Sequence, residues 1–341
     1  MQDKLVIISN EKFHSDKNFF FCDNIAEKSL PEGLSKKFKI EIIGRVSLKK
    51  KAHELKINNI LLFNSIFLYL FEIFKKIKEK ETKFLILSIS PYTFLASLLF
   101  LFSKKKPIVY LRSDGYKEYK SILGFYGPII YHTMFTIVSK IAFFISCTKY
   151  ILKEKKGEVV HPSELSNSWL SNPQQTQVDK VKLLYVGRIK IEKGIFSLLK
   201  ILKNTKNEMV LTVVGAETGS AKTIDQKNVN VYEIEKNQNS LIKFYDDHSI
   251  FVLPSFTEGH PMALLEALSR LRPVIIFKEI QHVIGDKKGI FLAERNADSF
   301  FKNVNYIKEN YKTIQEDMKN NKLPTKDYFL KHFTDLILNI S

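Results

Sequence analysis

Short apolar runs alternate with longer stretches of helical periodicity along most of this chain. In the first half, apolar runs with the length of buried parallel strands occupy residues 5–8, 38–43, 84–88, 107–111 and 143–147. Between them, residues 61–77 and 91–102 carry apolar side chains at a helical period. Alternation of strands and helices predicts a parallel sheet that is covered on both faces. The first half is therefore predicted to be a doubly wound α/β domain.

The second half repeats this alternation. Its strand-like runs occupy residues 181–186, 209–214, 229–232, 250–253 and 274–277. After the first run, apolar residues recur at i, i+3, i+4 and i+7 from Ile195, which is the stripe of a helix that packs on a sheet. Between the halves, residues 157–179 are polar and contain two prolines, as linkers do. At 341 residues the chain is long enough for two domains, which we predict at 1–160 and 181–322 with a linker at 161–180.

The most informative stretch is residues 249–273. Its apolar run predicts a strand that Pro254 ends, and Pro261 suits the first turn of the next helix because its missing N–H is not needed there. A helix that follows a parallel strand points its free N–H groups and positive dipole end at the carboxyl edge of the sheet, where α/β folds bind anions. We therefore expect a phosphate group near Met262 and Ala263.

Two carboxylates flank this predicted anion site. Glu258 precedes the helix, and Glu266 lies four residues after Met262 on the same helical face. Gly259 lets the backbone approach a ligand closely, because it has no Cβ. Each carboxylate can accept hydrogen bonds from sugar hydroxyls on one side of the phosphates. The spacing alone is a weak motif, and the alternative is a pair of solvated acids.

The segment E-G-H-P-M-A-L-L-E-A-L resembles the donor site of the retaining GT-B glycosyltransferases of family four, whose signature is Glu-x7-Glu, here Glu258 and Glu266. The resemblance implies two Rossmann-like domains facing each other across a cleft, and sugar transfer from a nucleotide diphosphate sugar with retention of the anomeric configuration. It implies that Glu266 binds the ribose, that Glu258 is catalytic at the transferred sugar, and that His260 contacts the donor. It also implies a last helix, at residues 323–341, that packs back on the first domain.

A second motif follows the strand at 181–186. The loop G-R-I-K-I-E-K-G carries Arg188 and Lys193 near the carboxyl end of that strand, where a guanidinium and an ammonium group can neutralise a diphosphate without a metal. The loop is similar to the family's V-G-R-x-x-x-x-K-G segment, which implies that Gly187, Arg188 and Lys193 hold the diphosphate. The alternative is two surface charges. The sequence contains no D-x-D, C-x-x-C or H-E-x-x-H, so we predict neither a metal nor another cofactor.

Acceptor-side candidates lie in the loop R-S-D-G-Y-K, after the strand at 107–111. Asp114 is a candidate to accept a hydrogen bond or a proton from an acceptor hydroxyl, with Arg112 and Lys117 holding a phosphate of the acceptor. Equally, S-D-G is a common turn sequence in which Asp bonds its own backbone. Family members commonly have a histidine in this loop and glycines in the first loop, and this chain departs from both patterns.

The net charge of +17 is uneven, with +12 in residues 1–165 and +5 in residues 166–341. Lysine clusters at 49–51, 75–80 and 104–106 each adjoin an apolar helix, the combination expected of a protein that rests on acidic lipid headgroups. The alternative is the composition of a biased genome. No apolar segment reaches about 18 clean residues, so we predict no membrane span.

The remaining features concern cellular location and partners. Cys22 and Cys147 are too few for a disulfide framework and suit a reducing cytoplasm, and the chain starts without a secretory signal. We expect a cytoplasmic protein, peripheral on the inner face of the cytoplasmic membrane, that glycosylates a lipid-linked or surface-polysaccharide acceptor. A nucleotide-sugar 2-epimerase of similar fold and a non-catalytic partner subunit are the alternatives. Nucleic acid is not an expected partner, because aromatic and basic platforms are missing.

Overall fold

A computed structural model describes residues 2–174, 178, 180–203, 209–216, 224 and 226–340. The chain divides into two compact units. The first comprises the residues up to Pro162 together with those from Asp327 onward, and the second comprises Ser163–Lys326. Each unit is built around a mainly parallel sheet, so the chain has the two doubly wound α/β domains that the alternation of its apolar runs predicts.

The sheet of the first unit contains nine strands, of which seven form a parallel series in the order β5-β3-β1-β6-β7-β8-β9. The strands are β1 (Lys4–Asp16), β2 (Phe19–Cys22), β3 (Lys39–Val46), β4 (His53–Leu55), β5 (Ile60–Phe63), β6 (Thr82–Leu87), β7 (Ile108–Leu111), β8 (Phe143–Ser146) and β9 (Gly157–Val159). β2 pairs antiparallel with the end of β1 and with β4.

The helices of the first unit lie on both faces of this sheet. They are α1 (Ile25–Leu34), α2 (Ile66–Ile77), α3 (Pro91–Leu98, continued by a 3-10 turn to Phe102), α4 (Gly115–Leu123), α5 (Tyr126–Ile141) and α6 (Lys149–Leu152). α2, α3 and α5 pack on the face that carries Val6 and Ile8, whereas α1 packs on the opposite face with Leu5 and Ile7. Alternate residues of one strand thus serve two cores.

The predicted helix at 61–77 is wrong in its first turn. Ile60–Phe63 is a strand that pairs with β3, with Ile42 opposite Ile60, and the helix begins only after Ser65. Both segments are apolar, so periodicity alone could not separate a short edge strand from the helix that follows it.

The sheet of the second unit has six parallel strands in the order β12-β11-β10-β13-β14-β15. They are β10 (Lys182–Val186), β11 (Val210–Ala216), β12 (Val229–Glu233), β13 (Ile250–Leu253), β14 (Val274–Phe277) and β15 (Ile290–Ala293). The helices are α7 (Asn167–Leu170), α8 (Ile195–Lys203), α9 (Gln238–Asp246), α10 (Met262–Ser269), α11 (Ala297–Glu309) and α12 (Tyr311–Met318). The direction of strand order reverses between β10 and β13, which is the place where doubly wound sheets bind ligands.

The predicted linker at 161–180 is mostly a packed part of the second unit. Leu165 and Trp169 are buried in its core, and the Arg270 guanidinium donates hydrogen bonds of 3.0 and 2.8 Å to the carbonyls of Trp169 and Ser171. Residues 175–177 and 179 of this prediction lie outside the described residues. The domain boundary therefore falls at Pro162, because the apolar surface of Trp169 is buried by packing on the second core.

The last helix, α13 (Lys326–Asn339), packs on the first unit. Phe333 lies edge-to-face on Tyr110, with 4.8 Å between the ring centroids, and Ile337 is buried in the same core. A Cβ atom at Gly33 would come within 2.4 Å of Leu330, so glycine there permits the close approach of α13 to α1. Across the part of the chain that the structure describes, no helix combines the length and apolar character needed to cross a bilayer.

Candidate donor-binding site

The two motif loops of the second unit are neighbours because their strands pair. β10 lies beside β13, with Leu183 opposite Ile250. The loop after β10 and the elbow after β13 therefore leave the same edge of the sheet, although 65 residues separate Lys193 from Glu258. The site sits at the switch point of the strand order, as the sequence motifs and the fold rule together require.

Lys193 and Glu258 are in direct contact. The Lys193 ammonium lies 2.7 Å from Oε1 of Glu258, and the Ser255 hydroxyl donates a 2.6 Å hydrogen bond to the same oxygen. The amide of Phe256 donates to the carbonyl of Glu192, which joins the two loops through their backbones. The sequence predicts both charged residues for this site, but not that each is the other's partner.

Two glycines allow the loops to approach this closely. Gly194 has φ of +69°, and a Cβ atom there would come within 1.8 Å of the carbonyl oxygen of Pro254. A Cβ atom at Gly215, near the end of β11, would come within 2.2 Å of the carbonyl oxygen of Gly187. Neither contact leaves room for a side chain, so both positions require glycine.

Arg188 lies on the same loop, with an exposed side chain. Its backbone carbonyl accepts a 2.8 Å hydrogen bond from the hydroxyl of Tyr185, and the amide of Gly187 donates to the carbonyl of Val214. The backbone of the predicted diphosphate loop is thus fixed, while its guanidinium faces solvent.

The elbow and the start of α10 carry four of the predicted donor-binding residues, and His282 contacts the elbow. Gly259, His260, Met262 and Ala263 are half-buried around the first turn of α10. The ring Nε2 of His282 lies 2.8 Å from the carbonyl oxygen of Glu258. His282 follows β14 and had no sequence signal that linked it to this site.

Glu266 lies on α10 with its carboxylate in a hydrogen bond of 2.7 Å from the Tyr245 hydroxyl. Burial raises the pKa of Glu266 to about 7, the bond from Tyr245 acts in the opposite direction, and the charge of Glu164 adds to the rise. Tyr245 is fully buried on α9. Sequence reasoning missed it, and the only available signal was that a buried tyrosine needs a partner for its hydroxyl.

Arg295, which follows β15, contacts the elbow between β13 and α10. Its guanidinium donates a 2.9 Å hydrogen bond to the carbonyl of Pro254, pairs with Glu279 at 2.7 Å and stacks 4.0 Å from the Phe256 ring centroid. These contacts orient the strand end before Glu258. No motif in the sequence marks Arg295, because these partners come from two other segments of the chain.

Arg112, the predicted ligand of an acceptor phosphate, forms an ion pair within the first unit. Its guanidinium is 2.5 Å from Oε1 of Glu27, whose side chain is only 2% exposed, and the Ser9 hydroxyl donates to the other oxygen of Glu27. A buried carboxylate needs such a cation, so Arg112 neutralises Glu27, and its contact with an acceptor phosphate stays a prediction.

Asp114 and Lys117 line a pocket of about 330 Å³, together with Tyr116, Lys120, Pro128, Tyr150 and Lys153. Asp114 is the N-cap of α4, since its Oδ1 accepts a 3.1 Å hydrogen bond from the amide of Tyr116. Its Oδ2 lies 3.6 Å from the ammonium of Lys153. The backbone-capping role that the S-D-G sequence predicts is therefore present, and the second carboxylate oxygen faces a basic pocket.

Comparison with known proteins adds the family. The model of the family described as glycosyl transferases group 1 matches residues 170–323. An uncharacterized glycosyltransferase of Haemophilus influenzae is 24% identical over 175 residues, which cover 48% of this chain and 49% of that protein. The chain thus aligns with about half the length of this curated relative.

Solved structures match over nearly the whole chain. The Anabaena protein Alr3699/HepE, in complex with UDP and glucose, has a TM-score of 0.69 at 12% identity and covers 99% of this chain and 100% of its own. The lipopolysaccharide outer core galactosyltransferase WaaB in its apo form has a TM-score of 0.67 at 17% identity, with coverage of 98% and 99%. At these identities the likeness is one of fold. The chain as a whole has a GT-B fold with two Rossmann-like domains. Its residues 170–323 belong to the glycosyl transferases group 1 family.

Proposed function

We propose that this chain is a retaining glycosyltransferase that moves a sugar from a nucleotide diphosphate sugar to an acceptor hydroxyl. The observation that carries the proposal is the meeting of Lys193 and Glu258 at the switch point of the second sheet, 2.7 Å apart, with Glu266 on the helix that follows. A nucleotide sugar presents phosphates and hydroxyl groups to its site. Here a cation is available for the phosphates and two carboxylates are available for the hydroxyl groups.

In the proposed reaction, the bond between the anomeric carbon and the diphosphate oxygen breaks, and the diphosphate leaves with the electron pair. The acceptor oxygen forms the new bond to that carbon on the face that the diphosphate leaves, and its proton passes to the departing diphosphate oxygen. Negative charge grows on the diphosphate, so Arg188, Lys193 and the first-turn amides of α10 at Met262 and Ala263 stabilise the transition state electrostatically. A guanidinium, an ammonium group and a helix terminus carry this charge without a metal.

The two carboxylates take different parts of the donor. Glu266, on α10, binds the ribose hydroxyls, and Glu258 binds hydroxyls of the transferred sugar and supports the positive charge that develops at its anomeric carbon. Lys193 is paired with Glu258 before the donor binds. Arrival of the diphosphate draws Lys193 toward phosphate oxygens and frees Glu258 for the sugar. Gly259 and His260 lie between the two acids and contact the donor.

The acceptor is proposed to be lipid-linked or a growing surface polysaccharide, and its hydroxyl is proposed to meet Asp114. Support comes from the pocket beside Asp114, in which Lys117, Lys120 and Lys153 suit an anionic acceptor group. The solved neighbour WaaB acts on lipopolysaccharide, which is an acceptor of this kind. The protein is proposed to work in the cytoplasm, on the inner face of the cytoplasmic membrane.

A panel of nucleotide sugars tests this function. We expect at least one UDP-, GDP- or ADP-sugar to raise the melting temperature, because a ligand of the folded state stabilises it by mass action. Glu266→Ala should remove that shift, whereas Lys190→Met, an exposed change on the Arg188 loop, should keep it. With the stabilising donor and a membrane lipid extract, radiolabelled sugar should enter the lipid fraction. Conversion of the donor to an epimer without acceptor would overturn the proposal.

A further inference from the structure

The outer surface of the helices on one side of the first unit is apolar. Of the 27 large hydrophobic side chains that are exposed among the described residues, 13 lie between residues 67 and 130, in less than a fifth of the chain. Phe67 of α2 is 80% exposed, Phe102 after α3 is 89% exposed, and Phe125 before α5 is 81% exposed. Single exposed hydrophobic residues are ordinary, but a cluster of this size marks an interaction surface.

These side chains share one face because the helices form one layer. α2 contacts α3, α3 contacts α5, and α4 contacts α5. Within α2, Tyr69, Ile73 and Ile77 are buried against the sheet, so Phe71 and Phe74 point away from it. We call this outer surface of α2, α3, α4 and α5 the α2–α3–α5 face.

The charge around this face is strongly positive. Residues 66–141 contain 12 Lys and Arg against 5 Asp and Glu, a net charge of +7. The lysine clusters at 75–80 and 104–106 are one cluster in space, because the Lys105 ammonium donates to the carbonyl of Glu79. Lys78 places its ammonium 4.2 Å from the centroid of the Phe74 ring, with its charge at the border of the apolar surface.

A basic pocket opens beside this cluster. It has a volume of about 420 Å³, and its charged lining consists of Lys83, Lys104, Lys105 and Lys106 together with the carboxylates of Asp3 and Glu81. Four ammonium groups against two carboxylates leave the cavity positively charged, which suits a phosphate-bearing headgroup. Interface cores between proteins are depleted in lysine, whereas exposed aromatic residues bordered by lysine are what peripheral proteins present to acidic lipid.

We propose that the α2–α3–α5 face rests on an anionic lipid bilayer, with Phe67, Phe102 and Phe125 in the interfacial region and the lysines at the headgroup phosphates. This face would bring the protein to its lipid-linked acceptor, a role that rests on the proposed function. Lys117 and Lys120 on α4 belong to the same layer, so the pocket beside Asp114 opens where acceptor headgroups would arrive.

Vesicle sedimentation of the full chain, without donor or acceptor, tests the proposal separately from sugar transfer. The wild type should bind vesicles of phosphatidylglycerol and phosphatidylcholine at least about tenfold more tightly than phosphatidylcholine alone. The triple change Phe67→Ser, Phe102→Ser, Phe125→Ser and the double change Lys104→Glu, Lys106→Glu should each weaken binding to the anionic vesicles by about tenfold or more.

Matched controls are available elsewhere in the chain. Phe19→Ser removes an aromatic residue that is exposed on β2, and Lys302→Glu, Lys308→Glu reverses two exposed charges on α11, so both should bind like the wild type. All variants change exposed residues, and circular dichroism should show unaltered folding. Equal binding by the triple variant and the wild type would overturn the proposal. A dimer that the triple change abolishes, without vesicle binding, would assign the face to a second copy of the chain.

Fluorescence provides a direct measure of insertion. The only tryptophan, Trp169, is buried in the second unit, so its emission should not respond to lipid. Phe102→Trp should shift its emission to shorter wavelength on addition of anionic vesicles, whereas Phe19→Trp should not. Identical spectra of the Phe102→Trp variant with and without vesicles would contradict insertion of this face.

Discussion

The hydroxyl of Tyr245 donates a hydrogen bond of 2.7 Å to the carboxylate of Glu266. Tyr245 is wholly buried, and burial raises the pKa of Glu266 to about 7, while the bond from Tyr245 lowers it. The acid proposed to hold the ribose of the donor therefore changes its charge near neutral pH. A residue on a different helix thereby opposes the effect of burial on the pKa of the proposed ribose ligand.

Donor affinity should rise with pH through about 7, because an ionised Glu266 accepts hydrogen bonds from ribose hydroxyls more strongly than a neutral carboxyl group. Tyr245→Phe removes the bond that lowers the pKa, so the midpoint of this rise should move to higher pH. Isothermal titration calorimetry across this range measures both effects. Glu258→Gln is the control that keeps the midpoint, and an affinity without pH dependence would contradict the ribose role.

The pH dependence of stability in the ligand-free protein should have the opposite sign: stability should fall as pH rises. The pKa of Glu266 is raised from 4.5 to about 7, so the folded state disfavours its charged form and loses stability as pH rises between these values. Glu266→Gln should therefore exceed the wild type in free energy of unfolding by on the order of 2–3 kcal/mol at alkaline pH, and match it at acidic pH. Urea denaturation at the two pH extremes measures this, and a destabilised variant at alkaline pH would refute the assignment.

Lys193→Met should weaken donor binding by about 10- to 100-fold, because the proposed diphosphate loses a charged hydrogen bond. It should also lower the free energy of unfolding by about 1–3 kcal/mol, since the half-buried Glu258 loses its cation. A double-mutant cycle with Glu258→Gln should give a coupling energy of about 1–2 kcal/mol. Lys190→Met is the matched control, and a coupling near zero would show that the ion pair has no energetic effect.

Arg112→Met should destabilise the protein by about 3–5 kcal/mol, because the buried carboxylate of Glu27 loses the cation that is paired with it. Lys117→Met, beside the pocket at Asp114, should leave the free energy of unfolding within about 0.5 kcal/mol and raise the KM for acceptor. Thermal unfolding and transfer kinetics separate the two roles. A stable Arg112→Met variant with only a raised acceptor KM would instead support the acceptor-binding role predicted for Arg112.

Trp169→Ala should lower the free energy of unfolding by about 3–5 kcal/mol, as expected of a large aromatic side chain that is 3% exposed. Leu170→Ala is the neighbouring control, because Leu170 is exposed and should change little. Chemical denaturation measures the difference. Equal stabilities would show that this segment is the flexible linker that its polar composition suggests.

The sequence predicts the elements of the fold well wherever a pattern is local. The apolar runs place the buried strands of both units, and Pro261 marks the start of α10. Errors occur where two elements share one apolar stretch, as at Ile60–Phe63 and α2, or where polar composition hides a buried side chain, as at Trp169. Periodicity indicates which side chains of one segment are buried. It does not indicate which other segment of the chain packs on them.

The sequence by itself determined which segments carry the candidate chemistry, because Glu258 and Glu266 stand on one continuous elbow and helix, and Arg188 and Lys193 on one loop. Only the tertiary structure decided how the charges pair: Lys193 with Glu258, Arg112 with Glu27, and Glu266 with Tyr245. The physical reason is that helical and strand periods follow from local backbone geometry, whereas the partner of a buried charge depends on which strands lie side by side.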